Sequence, residues 1–333
     1  MSPSKTRSTL LAAVAATAAL GGAVVAGALV MDRAEPSSAD AIPREATVEY
    51  GRRLIRETAA LIGPNAEDPQ MRYSGSNLDC ASCHLETGMK PGTLSLLPST
   101  PRYPRFSGRD GQMQDMRARI NGCMERSMHG RTLPRDSVEL IAMELYVDSL
   151  NVRLEAMGET NSEWDEQPLF EAPERRADPE AGRPIYADRC AVCHGADGLG
   201  LLETGDPKDG YLFPPLWGPD SYNDGAGMHR VLTAARFIKA RMPLGQADLT
   251  DDEAYDVAAY MNSQPRPQKA NLEADYPDRL RKPVDSPYGP YADGDPFSQD
   301  QHKYGPFAEI REWYRVQREA AQAGSGSAED ERG

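Results

Sequence analysis

The pentapeptide Cys-x-x-Cys-His occurs twice, as Cys80-Ala81-Ser82-Cys83-His84 and as Cys190-Ala191-Val192-Cys193-His194. Two closely spaced thiols followed at once by an imidazole are what covalent attachment of a haem requires. Each thiol joins one vinyl group, and the histidine is the proximal ligand of the iron. Taken singly, the pentapeptide also suits a redox dithiol or half of a zinc site. Two copies in matching contexts point instead to two covalently bound haem c groups, held by Cys80, Cys83, Cys190 and Cys193, with His84 and His194 on the irons. The fifth cysteine, Cys123, stands alone, and an odd count argues against a disulfide framework.

The context of each motif repeats. Helical spacing over 47–62 leads into the first motif, and Gly63-Pro64 ends it. A proline-rich loop over 85–107 follows, then helices over about 112–128 and 137–150, the latter opened by Asp136 with Glu139 as a capping pair. In the second copy a helix over 181–188 runs into Cys190. After a Pro/Gly-rich stretch at 213–218 come helices over 228–240 and 254–263, with Thr250 and Glu253 forming a capping box. No alternating strand run appears. The expected fold is therefore mostly α: two tandem class I cytochrome c-like domains with long irregular loops. The expected divisions are 1–45 (signal anchor or signal peptide, plus linker), 46–155 (haem 1), 156–178 (acidic linker), 179–270 (haem 2) and 271–333. This last part reads as an irregular C-terminal extension, with a short helix over 310–322 and a disordered end.

Residues 10–31 carry no charge, behind Lys5 and Arg7 and ahead of Asp32 and Arg33. Those 22 residues just reach a bilayer span, so an uncleaved anchor is favoured over a removed signal peptide with a cleavage site near Ala39-Asp40-Ala41. Either form places the body in the periplasm, with a tether to the inner membrane through 10–31 if the run is retained. A formal net charge of −14 disfavours nucleic acid as a partner and suits a soluble exported protein.

The ligand on the far side of each iron separates carriers from enzymes. In the second half the candidates are Met228, His229, Lys239 and Met242. Met242 stands 48 residues after His194 and directly before Pro243; its thioether would raise the potential and suit electron transfer. In the first half they are Cys123, Met113, Met116, Met124, Met128 and His129. Cys123 lies 39 residues after His84, with Arg119 at i−4 and Arg126 at i+3. Between Arg102 and Arg135 there are eight arginines against three acidic residues, a local reversal in an acidic chain. Such surroundings favour a thiolate and attract small anions.

With those residues in view, the chain resembles the di-haem thiosulfate dehydrogenases that form tetrathionate. The resemblance covers about 51–307 and rests on three stretches. The most specific is Arg119-Ile120-Asn121-Gly122-Cys123-Met124-Glu125-Arg126-Ser127-Met128. The second is Met242-Pro243-Leu244-Gly245. The third joins Tyr288-Gly289-Pro290-Tyr291-Ala292-Asp293 to Gln301-His302-Lys303-Tyr304-Gly305-Pro306-Phe307. It implies that Cys123 ligates haem 1, the catalytic haem, and Met242 ligates haem 2. It further implies that two thiosulfates are joined while electrons pass to an external acceptor, such as a soluble cytochrome c or a high-potential iron–sulfur protein. Arg119 and Arg126, with Arg109 as a further candidate, would hold the anions. The chain departs from the family in having His129 where asparagine is expected. It also has Arg241 where some members carry a lysine able to bind iron.

Two other functions fit the same motifs. A di-haem electron carrier without its own substrate leaves Cys123 and its arginines unexplained. A tetrathionate reductase would use the same residues in the opposite direction. A haem peroxidase would need an open iron with a distal acid/base, for which His129 is the sole candidate.

Overall fold

The computed structural model of the chain describes residues 43–92, 94–158 and 170–330, with side chains to 323. The apolar run at 10–31 and residues 159–169 of the acidic linker lie outside the described residues. Among the described residues, no helix is long and apolar enough to cross a membrane.

The first half begins with α1 (Val48–Arg56), capped by Thr47, whose hydroxyl accepts the Tyr50 N–H at 3.0 Å. The single helix expected over 47–62 is broken at Glu57. Thr58 turns its hydroxyl onto the Leu54 carbonyl (2.6 Å), and α2 (Thr58–Ile62) continues in a new direction. After the first haem motif, β1 (Arg105–Ser107) and β2 (Gln112–Gln114) form a short antiparallel hairpin pairing Phe106 with Met113. Residues 112–114 are therefore strand. The following helix, α3 (Met116–Arg126), begins only after Asp115, which caps it by accepting the Ala118 N–H at 2.8 Å. α4 (Val138–Ala156) closes this half. Its cap is Ser137, one residue beyond the expected Asp136, and it runs past 150 because Leu154 still faces the core.

The second half repeats the plan. α5 (Pro179–Arg189) leads into α6 (Ala191–His194), which contains the second motif. The hairpin β3 (Leu201–Leu202) and β4 (Tyr211–Phe213) follows, then α7 (Val231–Arg241) and α8 (Asp251–Ser263). Thr250 and Glu253 form the expected capping box, at 3.2 and 2.8 Å.

What joins first and last helices is the same device in both halves. A β-carbon on Gly51 of α1 would stand 1.9 Å from the Ala142 carbonyl oxygen of α4. A β-carbon on Gly182 of α5 would stand 2.0 Å from the Asp256 carbonyl oxygen of α8. Only glycine permits these crossings, and each brings two helix backbones into contact behind a haem motif. Leu54, Ile62, Leu140 and Met143 fill the first core; Tyr186, Val231, Tyr255 and Ala258 fill the second.

The C-terminal part is more regular than its sequence suggests. α9 (Gln299–Tyr304) and α10 (Ala308–Asp330) follow the irregular 271–298, separated at Gly305-Pro306. Phe307, Ile310 and Tyr314 are buried in the second core, so this part completes the second half. α10 continues through Asp330, where a disordered end was expected.

Candidate haem sites

Both motifs are built alike. In the first, the Asp79 carboxylate accepts the Ala59 N–H at 2.8 Å and fixes the turn Cys80–Ser82 beneath α2; burial raises this carboxyl to about 6. Thr58 accepts the Cys80 N–H at 3.1 Å. Burial also pushes the Cys80 thiol up to about 12 and the Cys83 thiol up to about 11, the mark of sulfurs facing apolar space. Cys190 is likewise raised to about 11 by burial.

His84 donates Nδ1–H to the Leu94 carbonyl at 2.7 Å, and His194 donates Nδ1–H to the Pro214 carbonyl at 2.8 Å. Burial lowers the pKa of both rings, so each is neutral at Nε2. A histidine whose Nδ1–H is held by a carbonyl presents Nε2 to a metal in one fixed orientation.

On the far side of the second site, the alternatives to Met242 are mostly engaged. His229 is bonded at Nδ1 to the Asp224 carbonyl (2.9 Å) and also hydrogen-bonds the Asn262 backbone, and burial lowers it to about 3. Lys239 donates to the Leu249 carbonyl at 2.7 Å and pairs with Asp251 at 3.4 Å. The thioethers of Met228 and Met242 remain, both half-buried against the second core, and Met242 directly follows α7.

In the first site, Met116, Met124 and Met128 are buried, 7%, 1% and 3% exposed, Met116 in the first turn of α3, while Met113 points outward at 62%. His129 faces the Asn223 side chain at 3.3 Å. Its φ of 49° is the left-handed turn after α3, a place that explains why asparagine would be expected there. Cys123 remains. Its Sγ is 3.1 Å from Arg119 Nη1, and attraction to the Cys123 sulfur is the main cause holding Arg119 above its ordinary pKa. Cys123 is near enough to Cys80 and Cys83, and Arg119 near enough to His84, for each to be felt electrostatically. The Cys123–Arg119 pair therefore lies in the neighbourhood of the first haem motif. Tyr103, which sequence reasoning missed, also hydrogen-bonds Arg119.

The other two arginines have different work. Arg126 is 8% exposed and pairs with Asp275 through Nη2 at 2.7 Å. Arg109 donates to the Gly225 carbonyl at 2.6 Å and to Asp275 at 3.3 Å. Both are bonded to the one Asp275 carboxylate, whereas Arg119 is bonded to Cys123 itself.

The residues fit two haem c groups. Besides paired thiols and oriented imidazoles, Arg241, beside Met242, has Nε and Nη2 buried with no hydrogen-bond partner among the described residues. A haem propionate is an anion of the right reach to satisfy them. Among the described residues, no group of three or more His, Cys, Asp or Glu could hold a bare metal ion.

Residues 71–153 match the family model of the SoxA/TsdA cytochrome c domain, and residues 177–261 match that of cytochrome c oxidase, cbb3-type, subunit III. The thiosulfate dehydrogenase of Allochromatium vinosum is 39% identical over 227 residues, covering 66% of this chain and 78% of that one. The chain belongs to the thiosulfate dehydrogenase family. The Stutzerimonas stutzeri thiosulfate dehydrogenase is 41% identical over 203 residues, 60% of this chain, and the match spans 64% of that protein's length. A solved structure of the "as isolated" form of the thiosulfate dehydrogenase TsdBA from Marichromatium purpuratum superposes with a TM-score of 0.58. It is 35% identical, and the match covers 69% of this chain and 50% of that one. The tandem cytochrome c fold is thus common to this chain and the thiosulfate dehydrogenase family, and covalently bound haem c belongs with it.

Proposed function

We propose that the chain is a periplasmic di-haem enzyme that joins two thiosulfates into tetrathionate, with haem 1 in 46–155 and haem 2 in 179–270. The observation that carries this reading is the pairing of Cys123 Sγ with Arg119 at 3.1 Å, near enough to the first haem motif to act on Cys80 and His84. A plain electron carrier has no use for a thiol held by a cation at its iron.

The reaction forms one sulfur–sulfur bond and releases two electrons; no proton moves. Two dianions at about 4 Å repel by about 4 kcal/mol even in water, so the site must supply fixed positive charge. Arg119 does so, held in place by Tyr103. Haem c at each site would supply one-electron redox chemistry. Cys123 would hold haem 1 with a sulfur that favours ferric iron, and Met242 would hold haem 2 with one that favours ferrous iron. That order would suit an external one-electron acceptor, a soluble cytochrome c or a high-potential iron–sulfur protein, meeting the second half. The decisive experiment is thiosulfate-dependent reduction of such an acceptor by purified protein, with tetrathionate identified as product. Absence of that product with both haems in place returns the chain to the carrier class. Sedimentation of the native protein with membranes tests the tether through residues 10–31.

A further inference from the structure

The helix that carries Cys123 ends on residues from outside its own half. Asn223 donates its Nδ2–H to the Glu125 carbonyl at 2.8 Å and its backbone N–H to the Arg126 carbonyl at 3.2 Å. Two carbonyls at the end of α3 are thus bonded by the loop before α7, that of Arg126 also accepting the His129 N–H at 3.3 Å. From the C-terminal part comes Asp275, 4% exposed, which takes Arg126 through two contacts, Nη2–Oδ1 at 2.7 Å and Nε–Oδ2 at 3.4 Å. The same carboxylate accepts Arg109 at 3.3 Å and the Tyr288 hydroxyl at 3.2 Å, and lies 3.9 Å from Lys269.

Burying a charge among so many is a poor way to gain stability, because desolvation cancels most of the attraction. What the arrangement does provide is geometry, since a bidentate arginine pair tolerates little displacement. Arg126 follows Cys123 by three residues, about 4.5 Å along the axis, and a helix is stiff over that distance. A shift at the end of α3 moves the Cys123 sulfur by nearly the same amount.

We propose that Asp275 and Asn223 are positioning residues for Cys123, so that the second half and the C-terminal part set the contact between the Cys123 sulfur and haem 1. The proposal rests on Cys123 being a ligand of that haem. It makes the catalytic ligand dependent on the correct docking of the electron-exit half.

The test uses full-length holoprotein. Asp275→Asn keeps the shape of the side chain and removes the charge. Asn223→Ala alters no charge and serves as the second variant should Asp275→Asn fail to fold. Arg126→Lys keeps the cation without the fork. Electron paramagnetic resonance of ferric haem 1 and spectroelectrochemical titration of both haems are measured beside turnover. Asp275→Asn and Asn223→Ala are expected to give a mixture of ligation states at haem 1, a shifted haem 1 potential and turnover lowered about tenfold or more, as small displacements of reacting groups do. The haem 2 wave should not move, and Arg126→Lys should fall between. Folded variants with a wild-type haem 1 signal and potential overturn the proposal. Cys123→Ala, run in parallel, separates the two layers: an unchanged haem 1 spectrum there defeats the ligation reading, and the positioning role with it. A changed spectrum there, with wild-type spectra in the other variants, defeats the positioning role alone.

Discussion

The two halves share a frame and differ at one face. Gly51 against Ala142 and Gly182 against Asp256 make the same helix crossing, and His84 and His194 each give Nδ1–H to a backbone carbonyl. As candidates for the second ligand of each haem, the first half offers a cysteine with Arg119 at 3.1 Å, while the second offers Met242 beside Arg241, whose Nε and Nη2 have no partner among the described residues. The frame attaches a cofactor. With Cys123 and Met242 on the irons, the far face would decide what that cofactor does, because sulfur as thiolate and sulfur as thioether pull the iron potential in opposite directions.

Making the far faces alike should have the largest effect. Cys123→Met gives the first half a thioether, and both covalent attachments are untouched because Cys80, Cys83, Cys190 and Cys193 remain. Haem 1 should rise in potential toward haem 2, and thiosulfate oxidation should fall by about 100-fold or more, the scale seen when a group that acts only in the reacting complex is removed. Steady-state kinetics and a redox titration check both outcomes. Wild-type turnover in this variant would mean that the thiolate is dispensable.

The shared frame is open to a direct comparison. Gly51→Ala and Gly182→Ala each drive a methyl into a backbone carbonyl, and overpacking of this kind costs about 1–3 kcal/mol. Both should lower the thermal midpoint by similar amounts while leaving the haem potentials nearly in place. If one variant is neutral, the halves are not the same device. Removal of the Met242 thioether by Met242→Ala should have a smaller and one-sided consequence. Haem 2 should fall by at least about 59 mV, equivalent to a tenfold change in preference for ferrous iron, with haem 1 unmoved. An unaltered haem 2 would hand the ligand role to Met228.

How much of this was legible in sequence depends on how local each signal is. The haem-attaching residues are contiguous because one turn of chain must reach both vinyls and the iron. Thr250 and Glu253 were legible as a cap for the same reason. For Arg126, helical spacing reports a shared face with Cys123 and says nothing of partners. Its partner, Asp275, lies 149 residues away in a stretch that read as featureless. The strand at 112–114 was hidden by the helix that follows, and the role of α10 by a tail rich in Gly and Ser. The two glycine crossings were invisible for a different reason: Gly51 and Gly182 each sit inside a helical pattern, where glycine ordinarily weakens the element. Only the opposing backbone shows why it is there.

The smallest predicted effect compares the two arginines of the far faces. Arg119 is exposed on one side and bonded to Cys123 on the other, so a substrate anion can reach it. Arg241 has two nitrogens sealed from solvent and only Glu86 acting to hold its charge against burial. Arg119→Ala should raise KM for thiosulfate about tenfold, the value of one charge-assisted hydrogen bond, with a lesser change in kcat if haem 1 keeps its ligand. Added salt screens the attraction between a cation and a dianion. The wild-type KM should therefore climb with ionic strength more steeply than that of Arg119→Ala, and the two curves should converge. Arg241→Ala should leave KM and its salt dependence alone and instead lower the haem 2 potential, because it removes a positive charge beside that iron. A salt-dependent KM that changes in Arg241→Ala, and not in Arg119→Ala, would place the anion site in the second half and reverse the assignment of the two faces.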